Sequence, residues 1–316
     1  MKRFVFLWLI SLVFIDLFQI PEIGNCANLI WREDFEDNSY LDTFGLSSGT
    51  VSNAWDGYVI TTNNPHSGSR SMRGNINNDS GAVDSITGAP AGQVGAGTYL
   101  NFGDSGTLQK GTNHNFYDAH RNEFYVSYWM KLDNPFYTNS SWDSGQPAWK
   151  LFFTNGGNGV CLPVGGVTPN MRFTSSGVTV SSYGGGTTCN FSEAESYDSA
   201  SINMANDGQW HRFQIYVYYG TAGNNDGILK VWVDGALRQN RTNLQLRSTS
   251  TGRFSRLTIG HWHQGEIFGY CTESTGKKCG WQLDDLEVWD GNPSASGIPI
   301  ETNLKNPSPP QQLIIK

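Results

Sequence analysis

The chain has 316 residues, with 28 Asp and Glu against 21 Lys and Arg, for a formal net charge of −7. That balance excludes nucleic acid as a partner, because a phosphate backbone needs a basic footprint; an acidic polysaccharide would have to be met by Arg and Lys gathered locally. Thirty-seven Gly, 13% aromatics and only 16% charged residues make a profile of short strands and turns, not of amphipathic helices, and a single all-β domain accommodates roughly 200–250 residues.

Residues 1–27 open with Lys2 and Arg3, continue through the apolar run FVFLWLISLVFI and close on polar and small residues, the order of a secretory signal peptide. The run is shorter than the ~20 apolar residues of a span and is followed by Asp16, so no membrane span is expected once the signal is removed. The mature protein is therefore expected to be secreted, extracellular or periplasmic. Loss of Cys26 leaves Cys161, Cys189, Cys271 and Cys279, an even number in an oxidising compartment. Of three possible pairings, the two sequential ones each close a Gly-rich loop, at about 3.5 and about 2.5 kcal/mol of loop entropy; zinc lacks its C-x-x-C spacing.

IWREDFED, within 28–46, reads as a short first strand. Residues 74–115 are Gly, Asn, Ser and Ala with one strand near Thr98 to Phe102, a long loop on a rigid scaffold. His114, Asp118 and His120 follow as exposed loop or as a Zn or Mn ligand set. Trp149 to Phe153, Asn170 to Thr174 and Val178 to Ser182 read as strands, and Gly184 to Thr188 as a turn. Trp210 to Tyr218 and Ile228 to Val233 form a hairpin with a polar loop. Phe213, Ile215 and Val217 share one face with His211, and Arg212, Gln214, Tyr216 and Tyr218 take the other; Leu229, Val231 and Val233 likewise oppose Ile228, Lys230 and Trp232. Residues 292–316 are Pro and Ser rich, a tail or linker.

DGQWH before a strand, VWVDG some twenty residues on, LTIGHW (Leu257 to Trp262), WQLDDLEVWDG (Trp281 to Gly291) and EFYVSYWMKL (Glu123 to Leu132) resemble the strands of laminin-G-like and pentraxin-like domains, members of the concanavalin A-like lectin and glucanase superfamily. NNPHSGSRSMR (Asn63 to Arg73) resembles the loop and strand after the first strand of jelly-roll carbohydrate-binding modules. The resemblance implies an all-β, two-sheet antiparallel jelly-roll sandwich over 28–291. It also implies a structural calcium ion, because such modules with a similar FE opening and DD closing often hold one. The first and last strands are neighbours in a jelly roll, so Glu36 and Asp284 would supply hard oxygen ligands, with carbonyls from His66 to Ser69. Asp284 is the ligand chosen from Asp284 and Asp285 because alternation puts it on the face of Leu286 and Val288. The competing reading is that these acids are solvated strand ends. Retaining glucanases of the superfamily carry Glu-x-Asp-x-x-Glu on one strand; the matching positions here are Gln282, Asp284 and Glu287, and an amide is no nucleophile.

If the aliphatic side of the hairpin packs between sheets, Gln214, Tyr216 and Trp232 emerge on the outer side with Tyr125, Trp129 and Lys131. Aromatic rings and planar amides in one groove suit a saccharide; the alternative is a second small core under a loop. The first functional expectation is a secreted, lectin-like protein that binds a polysaccharide. The alternative is a polysaccharide lyase cleaving a uronic-acid polymer by β-elimination, with Arg172 and Lys150 neutralising the carboxylate and Tyr216, His261 or His263 as base. A structural or adhesive surface protein is the third.

Overall fold

A computed structural model describes residues 27–37, 58–75, 97–101, 122–134, 150–156, 168–174, 177–183, 207–248, 254–262 and 280–293. The strands in chain order are β1 (Leu29–Glu33), β2 (Tyr58–Thr61), β3 (Ser71–Asn75), β4 (Gly97–Asn101), β5 (Glu123–Leu132), β6 (Lys150–Gly156), β7 (Thr168–Thr174), β8 (Gly177–Tyr183), β9 (His211–Tyr218), β10 (Gly227–Val233), β11 (Ala236–Leu244), β12 (Phe254–Trp262) and β13 (Gly280–Trp289). Each described pairing is antiparallel. The all-β jelly-roll expectation holds. One sheet of eight strands runs β11-β10-β9-β5-β13-β3-β2, with β1 also paired to β13; β4-β12-β6 and β7-β8 form the smaller sheets.

The large sheet takes its form from strict alternation in β5, β9 and β10. Register sets Phe213, Ile215 and Val217 opposite Val233, Val231 and Leu229 on one side and Tyr128, Val126 and Phe124 on the other. These residues, with Met72, Met130, Trp281, Leu283 and Val288, have at most 2% of their surface exposed. Fully burying each such aliphatic or aromatic side chain contributes about 1.5–3 kcal/mol, so this inner face is what holds the sheet in register.

Two loops follow from local chemistry. Val233 and Ala236 are joined by Asp234 (φ 52°) and Gly235 (φ 77°), the two left-handed residues of a tight hairpin. The β9–β10 connection is longer and turns at Gly220 (φ 71°) and Gly223 (φ 79°), where Asp226 Oδ1 accepts the Thr221 amide at 2.7 Å.

The closing strand corrects one expectation. Leu283 faces Met130 and Asp284 faces Trp129, but the next pair is Glu287 with Ser127, so β13 carries one extra residue. Asp285 absorbs it at φ 47°. Alternation therefore resets. Asp284 lies on the outer face with Trp129 and Glu287, while Leu286 and Val288 turn inward, so Asp284 does not share their face.

Signal residues 1–26, the His114, Asp118 and His120 run, His263, the four cysteines Cys161, Cys189, Cys271 and Cys279, and the tail beyond 293 lie outside the described residues. No helix among the described residues is long and apolar enough to cross a membrane.

Candidate functional site

The outer face of the large sheet carries most of the residues expected to meet a ligand, and the structure divides them. At the β3–β13–β5 end, the loop of residues 62–70 lies across the face. His66 stacks on Trp129 with ring centroids 3.8 Å apart and planes 16° from parallel. Lys131 Nζ donates to the Asn64 carbonyl at 3.1 Å and sits 4.9 Å from the Trp210 ring centre. Trp210 Nε1 donates to the same carbonyl at 3.2 Å, and Gln282 Nε2 to that of Asn63 at 3.1 Å. Trp129 and Lys131 are each only 8% exposed. They form a second small core, not the wall of a groove. Burial, opposed by Asp133 and reinforced by Arg73, brings the Lys131 ammonium down to about 8. Below this loop Arg73 is paired with both oxygens of Asp133 at 2.8 Å.

Carboxylates hold the loop down. Asp284 Oδ2 accepts the amides of His66 at 2.9 Å and Ser67 at 3.2 Å, and Oδ1 that of Asp285 at 2.9 Å. Asp285 pairs through Oδ2 with His66 Nδ1 at 2.7 Å and through Oδ1 with the Ser67 hydroxyl at 3.0 Å. Glu36 Oε1 accepts the amides of Ser69 and Arg70, both at 2.8 Å, and Oε2 the Ser69 hydroxyl at 2.7 Å. Burial and the neighbouring Asp285 raise Asp284 to about 8. Burial also works against Asp285 and Glu36, but it is outweighed. Contacts with His66, Ser67 and Arg32 hold Asp285 below the ordinary carboxylate range, and donors from Ser69 and Arg70 do the same for Glu36.

That donor set does not fit the calcium expectation. Calcium takes six to eight oxygens, whereas the loop presents the N–H groups of His66, Ser67, Ser69 and Arg70 to Glu36 and Asp284. All four carboxylate oxygens already accept hydrogen bonds, and no group of three or more His, Cys, Asp or Glu among the described residues is arranged to hold a metal. Gly68 (φ 55°) allows the approach, since a Cβ there would lie 2.4 Å from Glu36 Oε1.

At the β9–β10–β11 end no described loop crosses the face. Gln214 and Tyr125 are buried, with Gln214 Nε2 donating to Tyr125 Oη at 2.6 Å. Tyr216 and Trp232 are half-buried. Tyr216 gives its hydroxyl proton to Glu123 at 2.5 Å, and burial with that carboxylate pushes the phenol well above its usual value. The hydroxyl of Tyr216 is thus engaged with Glu123 on the large sheet, away from the strands that carry Lys150, Arg172 and His261.

His211 bonds Asp234 through Nδ1 at 2.7 Å and Asp207 through Nε2 at 3.0 Å. Burial lowers its pKa, but the two carboxylates win and raise it. With both nitrogens engaged, it ties the start of β9 to the β10–β11 turn.

The residues proposed for elimination lie on other strands. Lys150 opens β6 and pairs with Trp262 of β12, the residue after His261. Arg172 is on β7, which runs beside β6. The backbone thus gathers Lys150, His261 and Arg172 onto three neighbouring strands outside the large sheet.

No protein-family model and no curated protein matches the chain. Solved structures do. A PL-14 alginate lyase from Aplysia kurodai is 14% identical over 83% of this chain and 99% of its own, with a TM-score of 0.47. Alginate lyase Aly36B is 13% identical over 83% and 95%, at 0.45. An endo-β-1,4-glucuronan lyase from Trichoderma reesei is 11% identical over 83% and 95%, at 0.44. Scores of this size leave the chemistry to be argued from the residues themselves.

Proposed function

We propose that the protein is an exported polysaccharide lyase that cleaves a uronic-acid polymer by β-elimination, with its site on the strands β6, β7 and β12. The observation that carries this reading is the pairing of β6 with β12 and the packing of β7 against β6, which bring Lys150, His261 and Arg172 onto three neighbouring strands. A chain of net charge −7 can meet a polyanion only through such a local gathering of cations. The rival surface is weaker, because Trp129, Lys131, Tyr125 and Gln214 are buried by the protein's own residues.

The chemistry asks for two services. Arg172 and Lys150 neutralise the uronate carboxylate, which acidifies the adjacent C5–H. His261, with His263 two residues on, takes that proton; the electron pair forms the C4–C5 double bond as the C4–O bond breaks, and the departing oxygen receives a proton from solvent. A side chain at each position with the right pKa contributes about 10²–10⁴-fold.

The test is incubation of the mature protein with alginate, glucuronan, polygalacturonate and neutral polysaccharides while following absorbance of the unsaturated uronate. New absorbance with at least one uronic-acid polymer, lost in Arg172→Ala and His261→Ala, is the expected result. Retention in gels of these polymers without new absorbance would replace the lyase by a binding module.

A further inference from the structure

The open end of the outer face has an order of its own. Strand register places Leu237, Trp232, Gln214, Ser127 and Glu287 in one row across β11, β10, β9, β5 and β13. A second row, one pleat along, reads Lys230, Tyr216, Tyr125, Trp289 and Leu29, ending on β1. Six strands at 4.7–4.9 Å spacing make a strip about 24 Å long, running perpendicular to the strands. Its two ends, Leu237 at 49% and Leu29 at 44% exposure, are the exposed large hydrophobic residues of the described part of the chain. Between them Trp232, Tyr216 and Trp289 are half-buried, lying across the sheet.

Polar groups interrupt the apolar ones. Trp289 Nε1 donates to Glu287 at 3.2 Å, and Tyr216 to Glu123. Gln214 spends its amide N–H on Tyr125, and its buried Oε1 has no hydrogen-bond partner, an unmet acceptor under the middle of the strip. Charges of both signs are present, Lys230 and Arg212 near Glu123 and Glu287. A lipid surface would call for contiguous apolar area or a one-signed basic face, and a polyanion would meet the two glutamates. Rings spaced between hydrogen-bonding groups, with charge nearly balanced, match a chain whose units present C–H faces and hydroxyls in turn.

We propose that the exposed and half-buried members of these rows, Leu237, Trp232, Lys230, Tyr216, Trp289 and Leu29, backed by the buried Tyr125 and Gln214, form a platform for a neutral polysaccharide chain lying across the strands. The platform is separate from the strands that carry Lys150, Arg172 and His261, and its function is to hold the protein on a glycan matrix. It does not depend on the lyase reading.

Affinity electrophoresis of the whole chain in gels of β-glucan, xylan, galactomannan and, for contrast, polygalacturonate tests it. At least one neutral polysaccharide should retard the wild type. Trp232→Ala and Trp289→Ala should each weaken retardation on the order of tenfold, the effect of losing an aromatic anchor. Leu237→Asp, a change at a half-exposed position of the edge strand, should weaken it as well, and release of unsaturated product from polyuronate should stay at the wild-type rate or, if there is none, at zero. No retardation by any neutral polysaccharide, retardation only by polygalacturonate, or retardation untouched in all three variants would each overturn the proposal. So would a concentration-dependent dimer in size-exclusion chromatography that Leu237→Asp abolishes, which would make the strip a self-association surface.

Discussion

Trp129 and Trp232 stand on the same face of the same sheet, at outward positions of strands separated only by β9, yet one is buried under a loop and the other is half-buried with no described loop across it. Alternation along a strand decides which side of a sheet a residue takes. Whether that side meets solvent is decided elsewhere, here by a nine-residue loop held down by Glu36, Asp284 and Asp285. The closed half is an anchored polar core and the open half a row of rings and amides. An outward tryptophan is therefore evidence of a binding surface only after the loops above it are known.

Changes on the closed half should have the largest effects. Asp133→Ala leaves the Arg73 guanidinium, 1% exposed, without its bidentate carboxylate and should cost about 3 kcal/mol in urea unfolding. Trp129→Ala should cost about as much, removing the ring on which His66 is stacked. Gly68→Ala should follow at about 1–2 kcal/mol, because its φ of 55° and the Glu36 carboxylate both oppose a Cβ; fluorescence quenching should then report Trp129 as newly accessible. If Gly68→Ala melts like the wild type, the loop is not held in the way described.

His211 supplies a pH signature at the boundary between the halves. Its folded pKa is raised, so the fold favours the protonated ring; the stabilisation is complete below the unfolded value of about 6.5 and is lost as pH rises through the folded one. The melting temperature of wild type minus that of His211→Gln should shrink from pH 6 upward. Asp284, raised to about 8, also favours its protonated form and destabilises the fold as pH rises, but it is present in both proteins and cancels in the difference. Trp232→Ala, on the open half, should cost under about 1 kcal/mol. Smallest of all, EDTA should leave the melting temperature unchanged, since each oxygen of Glu36 and Asp284 already accepts a hydrogen bond from the loop or from the Asp285 amide; a fall of several degrees would return calcium to this site.

The hairpin β9–β10 and the strand β5 were legible because each alternates without interruption, and β13 because its apolar residues alternate on either side of one bulge; their structural limits fall within a residue or two of the sequence reading. β11 was not. ALRQNRTNL is an edge strand with two register shifts, so nothing in it repeats at period two, although the Asp234-Gly235 pair before it is the turn that demands a returning strand. The site was harder to read for a related reason. Asp284 was placed inward by counting, and the count failed at Asp285, where a non-glycine residue adopts a left-handed conformation that no residue type announces. The amide donors that His66, Ser67 and Ser69 supply to Asp284 and Glu36 were not read either, because backbone direction in a loop is invisible to composition.

The extra residue in β13 has a practical consequence for anyone who transplants, aligns or redesigns this strand. Two chains matched here without a gap would agree about the half ending at Asp284 and be wrong about every side chain after it, exchanging Leu286 and Val288 for Glu287 and Trp289. Deleting Asp285 would by contrast remove the bulge and leave Leu286 and Val288 facing inward, so that its cost would fall on the loop, through the lost contacts to His66 and Ser67.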